Sequence, residues 1–180
     1  MTIVLPPLDI RAVRIVPLAS RGVLTDFESG EREIDRALGK CCDWQEKHRV
    51  RMFGAMIEGC DYAYGFYSLG VSAADSKYLA LDLVKVGDER SYIPFLYLNY
   101  LAVRRDFQGR KLGTLLLMNA LTRCELVARN VGVYGVALNA LNDRAAALYD
   151  RYGFRAYDKA KFPFMILPIQ SLFDLMSGKP

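Results

Sequence analysis

Hydrophobic positions recur along this chain with two different periods, and the switches between them predict the elements. Arg11-Ala12-Val13-Arg14-Ile15-Val16 alternates polar and apolar, as a half-buried strand does. Arg32 to Gln45 places Ile34, Ala37, Leu38, Cys41 and Trp44 near helical spacing. Glu28, Glu31 and Glu33 gather about its start, where a helix favours acidic side chains. Val50 to Ile57 and Tyr62 to Val71 are apolar and aromatic, and Glu58-Gly59-Cys60-Asp61 between them predicts a β-hairpin. Asp75 to Arg90 is poorly periodic and reads as irregular structure with a short strand. Ile93 to Val103 is a long apolar run, interrupted by Asn99, and reads as a central strand covered on both faces. Leu112 to Val127 predicts a helix whose broad apolar face carries Leu112, Leu115, Leu116, Met118, Leu121 and Val127. Val131 to Leu138 reads as a strand. Asn142 to Tyr152 reads as a short helix closed by Gly153. Phe162 to Ile169 reads as the final strand, with Pro163 and Pro168 at an edge or at its ends. The order predicts an α/β fold: one domain over residues 1–180, with a mixed, mostly antiparallel sheet flanked by helices.

Composition removes whole classes of function. The chain has 180 residues, 24 Lys+Arg against 20 Asp+Glu, and 52% hydrophobic residues, so it can bury a core and is not disordered. No run approaches the roughly 18 apolar residues of a membrane span. Met1-Thr2-Ile3-Val4-Leu5-Pro6-Pro7 lacks the basic start of a secretory signal, so a cytoplasmic protein is expected. A lone histidine, His48, cannot build a multi-histidine zinc site, and no metal is expected. Within Glu46-Lys47-His48-Arg49 it reads as a solvated helix-end residue. Cys41, Cys42, Cys60 and Cys124 contain no CxxC and read as reduced, partly buried thiols.

Chemistry concentrates where the central strand ends. Leu101-Ala102-Val103 is followed by the basic segment Arg104-Arg105-Asp106-Phe107-Gln108-Gly109-Arg110-Lys111, and then by the apolar helix beginning Leu112-Gly113-Thr114. Free N–H groups at a helix start, two glycines and several cations suit a pyrophosphate. Neither GxxxxGK[ST] nor GxGxxG occurs. A basic surface turn fits the same residues, and physics alone leaves both readings open.

The segment from Gln108 to Gly113 resembles the acetyl-CoA loop of GNAT N-acetyltransferases, Gln/Arg-x-x-Gly-x-Gly/Ala, with Lys111 where the first of those glycines usually stands. The run from Asn142 to Phe154, which includes Ala145, Leu148, Tyr149 and Gly153, resembles the family's later Asn-x-x-Ala-x-x-Leu-Tyr-x-x-x-Gly-Phe segment. Phe27 to Leu38, Tyr64-Gly65-Phe66-Tyr67-Ser68-Leu69 and Ile93-Pro94-Phe95 resemble the toxin branch of bacterial toxin–antitoxin pairs. Two departures stand out: Asn99-Tyr100 where that branch usually has Gly-Arg, and Ser29 where it usually has Cys.

The resemblance implies a GNAT-like sheet whose central strands splay, with acetyl-CoA as co-substrate. Its pantetheine arm would lie along Leu101, Ala102 and Val103, where a backbone N–H would stabilise the oxyanion. The pyrophosphate would lie on Gln108, Gly109, Arg110, Lys111, Leu112, Gly113 and Thr114. Asn142 would hold the far side of the arm, although a helix cap alone also explains it. Tyr149 would be the acid that protonates the leaving thiolate, a phenol near pKa ~10 facing a thiol near ~8.5; packing alone would make it core. Tyr152 reads as core. No general base is evident: His48 is remote, and Glu28, Glu31, Asp82, Asp88 and Glu89 are poorly constrained. An α-amino group near pKa ~7.7 needs no strong base, which favours α-amines over lysine.

Between Arg104 and Lys161 the chain has 11 Lys+Arg against 5 Asp+Glu. This basic half could meet an RNA backbone, or it could be a solvated face. The toxin resemblance implies aminoacyl-tRNA as acceptor and a small antitoxin protein as partner. A small amine, a protein N-terminus and an inactive CoA-binding fold stay open as alternatives, as does a homodimer.

Overall fold

A computed structural model describes residues 8–19, 21–75 and 92–178. These fall into two compact units.

The first unit draws on the chain up to Leu69 and on Tyr100–Ala120. It holds β1 (Arg14–Pro17), α1 (Arg32–Glu46), β2 (Val50–Met56), the first half of β3 (Gly65–Asp75), the end of β4 (Tyr92–Val103) and the first half of α2 (Leu112–Ala128). Its strand order is β1-β2-β3-β4, with β1 antiparallel to β2. The expected first strand starts three residues late because the chain before it makes a turn: the Ala12 N–H donates to the Asp9 carbonyl at 3.0 Å, and the Val13 N–H to that of Ile10. Helix α1 forms where its spacing predicts and buries Cys41 and Cys42. In its last turn Gln45 donates to the Leu18 carbonyl and accepts from the Met52 N–H, both at 2.6 Å, and so fixes the helix to β2. His48 stands just beyond α1, exposed, with φ +58, while Arg49 N–H reaches back to the Trp44 carbonyl at 2.8 Å. That is a left-handed helix ending, and His48 is the solvated helix-end residue the sequence suggests. Phe27 meets Phe66 edge-on with centroids 5.2 Å apart in the core below.

The second unit draws on described residues of Gly70–Asn99 and on the chain from Leu121. It contains the rest of β3, β4 and α2, then β5 (Gly135–Asn139), α3 (Asp143–Asp150), β6 (Arg155–Ala156), β7 (Phe164–Pro168) and α4 (Ile169–Met176). Its order is β3-β4-β5-β7-β6. β4 and β5 are parallel, while β7 is antiparallel to both β5 and β6. The seven strands are thus mixed and mostly antiparallel, as expected. The β4–β5 ladder covers three positions and ends at Tyr97 opposite Ala137, although both strands continue. The central strands therefore part, as the family resemblance implies.

Several expectations need correction. Val127 shares a helical face with Leu116 but lies past Cys124, the last buried position of α2, and is exposed together with Leu126. Leu117, not counted on the apolar face, is fully buried. β5 starts at Gly135 rather than Val131, because the Val131 N–H still bonds to the Val127 carbonyl in a closing helical turn. β7 is not an edge strand, and Pro163 and Pro168 mark its ends. It is also not the final element. α4 follows Pro168 directly and seats Leu172 in the core. Pro168 suits a helix cap because a missing N–H there loses no helical bond. The predicted irregular stretch lies outside the described residues except for Asp75, which belongs to β3. Cys41, Cys42 and Cys124 are buried, Cys60 is half-buried, and all four are free.

A Cβ at Gly135 would stand 2.3 Å from the Leu167 carbonyl oxygen, a backbone atom that cannot swing aside. Gly135→Ala is expected to cost about 1–3 kcal/mol, the usual scale of overpacking, in urea unfolding followed by circular dichroism.

Candidate functional site

The turn from β4 into α2 belongs to the first unit and is pinned from below. Arg105–Phe107 form one turn of 3₁₀ helix, and Phe107 is buried edge-on against Tyr64 with centroids 4.7 Å apart. Beyond Phe107 the chain is exposed from Gln108 to Lys111. Gly109 and Lys111 are both left-handed, with φ +75 and +63. The first helical bond of α2 runs from the Leu115 N–H to the Lys111 carbonyl at 3.1 Å. Hence the backbone N–H groups from Gly109 through Thr114 have no acceptor among the described residues.

The glycines show where space is kept. A Cβ on Gly109 would meet nothing within 4 Å, and one on Gly113 would meet only Val103 Cγ2 at 3.8 Å. Internal packing therefore does not demand glycine at position 113, although glycine costs about 1 kcal/mol inside a helix. A run of free N–H groups, open space over two glycines and the exposed cations Arg110 and Lys111 fit a pyrophosphate. Arg104 is committed otherwise: it donates to the Asp26 carbonyl at 2.7 Å and lies over the Tyr62 ring. Gln108 also faces inward, its amide donating to the carbonyls of Ser29 at 2.8 Å and Val103 at 3.1 Å.

Helix α3 in the second unit carries the other candidates. Asn142 caps it, its Oδ1 accepting from the Ala145 N–H at 2.9 Å. Tyr149 is the buried residue of α3, its ring 5.6 Å from that of Phe154. Burial pushes its phenol up to about 12, because the anion would lose its solvent. Among the described residues its hydroxyl has no hydrogen-bond partner. Gly153 closes the helix with φ +89, as the sequence predicts, and Tyr152 is half-buried. A neutral phenol in apolar surroundings can donate a hydrogen bond to an anion brought beside it and resists losing its proton to water.

Comparison with known proteins identifies the fold that carries these features. Residues 61–156 match the acetyltransferase (GNAT) domain family. The chain belongs to the GNAT acetyltransferases. It is 36% identical over 152 residues to a tRNA-acetylating toxin of Mycobacterium tuberculosis, covering 80% of this chain and 85% of that protein. Two solved structures share its fold. AtaTR bound with acetyl-CoA has a TM-score of 0.79 at 22% identity, covering 93% of this chain and 99% of that one. A point mutant of KacT has a TM-score of 0.79 at 21% identity, covering 91% and 99%.

Within the GNAT fold, the sequence-predicted residues separate into two sets. Leu101, Ala102 and Val103 form the end of β4, and Gln108, Gly109, Arg110, Lys111, Leu112, Gly113 and Thr114 follow in one continuous turn of the first unit. Asn142 and Tyr149 lie on or at α3 in the second. Lys111 keeps the left-handed backbone that a glycine would adopt there without strain, so the departure from the family pattern changes the side chain and leaves the path of the loop intact. Glu28 and His48 are exposed, and Asp82, Asp88 and Glu89 lie outside the described residues. No cluster of three or more His, Cys, Asp or Glu suited to a metal occurs among the described residues, and no described helix is long and apolar enough to cross a membrane. The inward bonds of Gln108 were not foreseeable, because an amide at a loop position carries no signal of which carbonyl it will reach.

Asn142→Ala should cost about 1 kcal/mol of stability through the lost cap, and Asn142→Ser should recover most of it. Chemical denaturation of the three proteins makes the comparison.

Proposed function

We propose that this protein transfers an acetyl group from acetyl-CoA to the α-amino group of aminoacyl-tRNA, acting as the toxin of a toxin–antitoxin pair in the bacterial cytoplasm. The observation that carries this reading is the 36% identity to a tRNA-acetylating toxin over four-fifths of the chain. A further GNAT structure similar in fold, AtaT, is complexed with acetyl-methionyl-tRNA (TM-score 0.77, 21% identity, covering 91% of this chain and 99% of that one). Others of the same fold are bound to the C-terminus of the antitoxin AtaR, and by analogy we assign a small antitoxin protein as partner. We treat the 180 residues as one acetyltransferase domain, since the family match runs through both units.

When bound, acetyl-CoA supplies an activated thioester. The chain's own residues would do the rest. The N–H groups from Gly109 through Thr114, with Arg110 and Lys111, would hold the pyrophosphate. Backbone groups of Leu101, Ala102 and Val103 would receive the arm, and Asn142, besides capping α3, is a further residue we assign to it. Tyr149 would donate its phenolic proton to the departing sulfur. The acceptor needs no strong base, because an α-amine near pKa ~7.7 is substantially neutral at cellular pH. Arg144 and Arg151 are exposed, seven residues apart on one side of α3, and with exposed Lys159 they offer cations to an RNA backbone.

Four expectations follow from the assignment. Gly113→Glu fills the open space with a like charge and should weaken CoA binding at least tenfold by calorimetry; unchanged affinity would remove the pyrophosphate from this turn. Tyr149→Phe should keep CoA affinity and lower turnover about 10²-fold. The pH profile should rise through about 7–8 as the amine loses its proton and stay level to about 10. Tyr149, raised to about 12, remains protonated over that whole range, and only above it should its ionisation lower the rate. A fall centred below pH 10 would exclude Tyr149 as the acid. Finally, acetyl transfer to charged tRNA should exceed transfer to free amino acids, polyamines and peptides, and should drop steeply between about 50 and 200 mM salt. Preference for any of those small acceptors, with little salt dependence, would refute the tRNA reading.

A further inference from the structure

The strand end and turn that precede the free N–H groups are held by a short segment far away in sequence. Three donors of the turn reach three carbonyls of residues 26–29. Arg104 Nη2 donates to the Asp26 carbonyl at 2.7 Å, the Arg105 N–H to that of Glu28 at 2.8 Å, and Gln108 Nε2 to that of Ser29 at 2.8 Å. The second hydrogen of the Gln108 amide serves Val103 at 3.1 Å, so one planar group ties β4's last residue to the segment before α1.

That segment is itself rigid. It is bracketed by two left-handed residues, Asp26 with φ +54 and Gly30 with φ +82. Its anchor is Ser29, which is buried. The Ser29 N–H and Oγ–H both donate to Asp35 Oδ1, at 2.8 and 2.7 Å, and Ser29 Oγ accepts from the Glu31 N–H at 3.1 Å. Asp35 lies in the first turn of α1, where a carboxylate is also favoured by the helix. Gly30 leaves room for the turn, since a Cβ there would come within 3.3 Å of Arg105 Nε.

We infer that Gln108, Ser29 and Asp35 are positioning residues for the cofactor turn: Gln108 acts through its side-chain hydrogen bonds rather than as a ligand of the phosphates, and Asp35 acts through Ser29 at one further remove. This rests on the assignment of the turn to acetyl-CoA and gives Gln108 a more specific role within it. The geometry also accounts for the chemistry that the position accepts. Gln and Arg, the two residues of the Gln/Arg-x-x-Gly-x-Gly/Ala pattern, share a planar group with several N–H donors, and two carbonyls must be served at once. A lysine offers no fixed fork, and a glutamate offers no donor when ionised.

The test is a kinetic series on the full-length protein with acetyl-CoA varied against a saturating acceptor. Gln108→Leu should raise the acetyl-CoA KM, and the Kd for CoA by calorimetry, at least tenfold, with kcat within about threefold of wild type. Gln108→Arg should restore KM to within about threefold. Asp35→Ala should raise KM in the same direction, and the double variant Gln108→Leu/Asp35→Ala should be no worse than Gln108→Leu alone, because both act through one chain of bonds. A Gln108→Leu protein that folds by circular dichroism and keeps wild-type KM overturns the inference. So does a Gln108→Arg protein with the KM of Gln108→Leu, or a fall confined to kcat. If Gln108→Leu fails to fold, Asp35→Ala and Gln108→Arg decide alone, by the same KM readout. Wild-type protein that binds no CoA at all would instead sink the functional assignment itself, so the two failures are distinct.

Discussion

The arrangement at the turn from β4 into α2 depends on one constraint. The chain must leave β4 and enter α2 while keeping a run of backbone donors unpaired. Unpaired N–H groups are tolerable at the surface, where water serves them, and costly if the turn folds back on itself. Two left-handed residues, Gly109 and Lys111, give the backbone a path in which its donors find no acceptor among the described residues. Such a path is intrinsically loose, so the residues before it are fixed firmly: Phe107 is sunk beside Tyr64, Arg110 lies over the Phe107 ring, and three carbonyls of residues 26–29 take donors from Arg104, Arg105 and Gln108. Rigidity is placed where packing can supply it, and openness where the backbone donors face solvent.

Tyr149 illustrates how packing and chemistry coincide in one side chain. Seating the ring among apolar neighbours stabilises α3, and the same loss of water holds its proton in place. The opposite side of the helix carries Arg144 and Arg151 in solvent. The helix and its C-cap residue Arg151 thus present an apolar, proton-bearing side and a cationic one. That division explains why Tyr149 could be read from sequence as either core or acid: it is core by position, and burial holds on it the proton that the proposed acid role would use.

What could be read in the sequence had local causes. α1, the central strand, the turn and the capped α3 follow from spacing, a helix cap and a left-handed glycine, all of which act within a few residues. What could not be read depended on remote partners or competing signals. α4 carries Ile169, Leu172, Phe173 and Met176 at helical spacing, yet it abuts β7 with no loop between them, and Pro168 reads more readily as a strand end. β5 begins late because the helical turn closing α2 still holds the Val131 N–H, and its first residue, Gly135, lies against the Leu167 carbonyl, a contact made across 32 residues of chain. Lys111 looked like a break in the motif because the sequence shows a side chain and not the φ beneath it. The bond between Gln108 and Ser29 spans 79 residues, and no periodicity reports it.

The makeup of the first unit has a consequence for how the protein is born. It combines the chain up to Leu69 with Tyr100–Ala120, so its strands and helix cannot complete their pairing as they leave the ribosome. The nascent segment must wait for the end of β4 and the start of α2. At about 5–20 residues per second, the roughly fifty intervening residues take several seconds to be made. During that interval the carbonyls of residues 26–29 have no donors from Arg104, Arg105 and Gln108, and the turn between β4 and α2 does not yet exist. The turn from β4 into α2 is therefore fixed only once the chain from β4 onward has been made, long after residues 26–29 have left the ribosome.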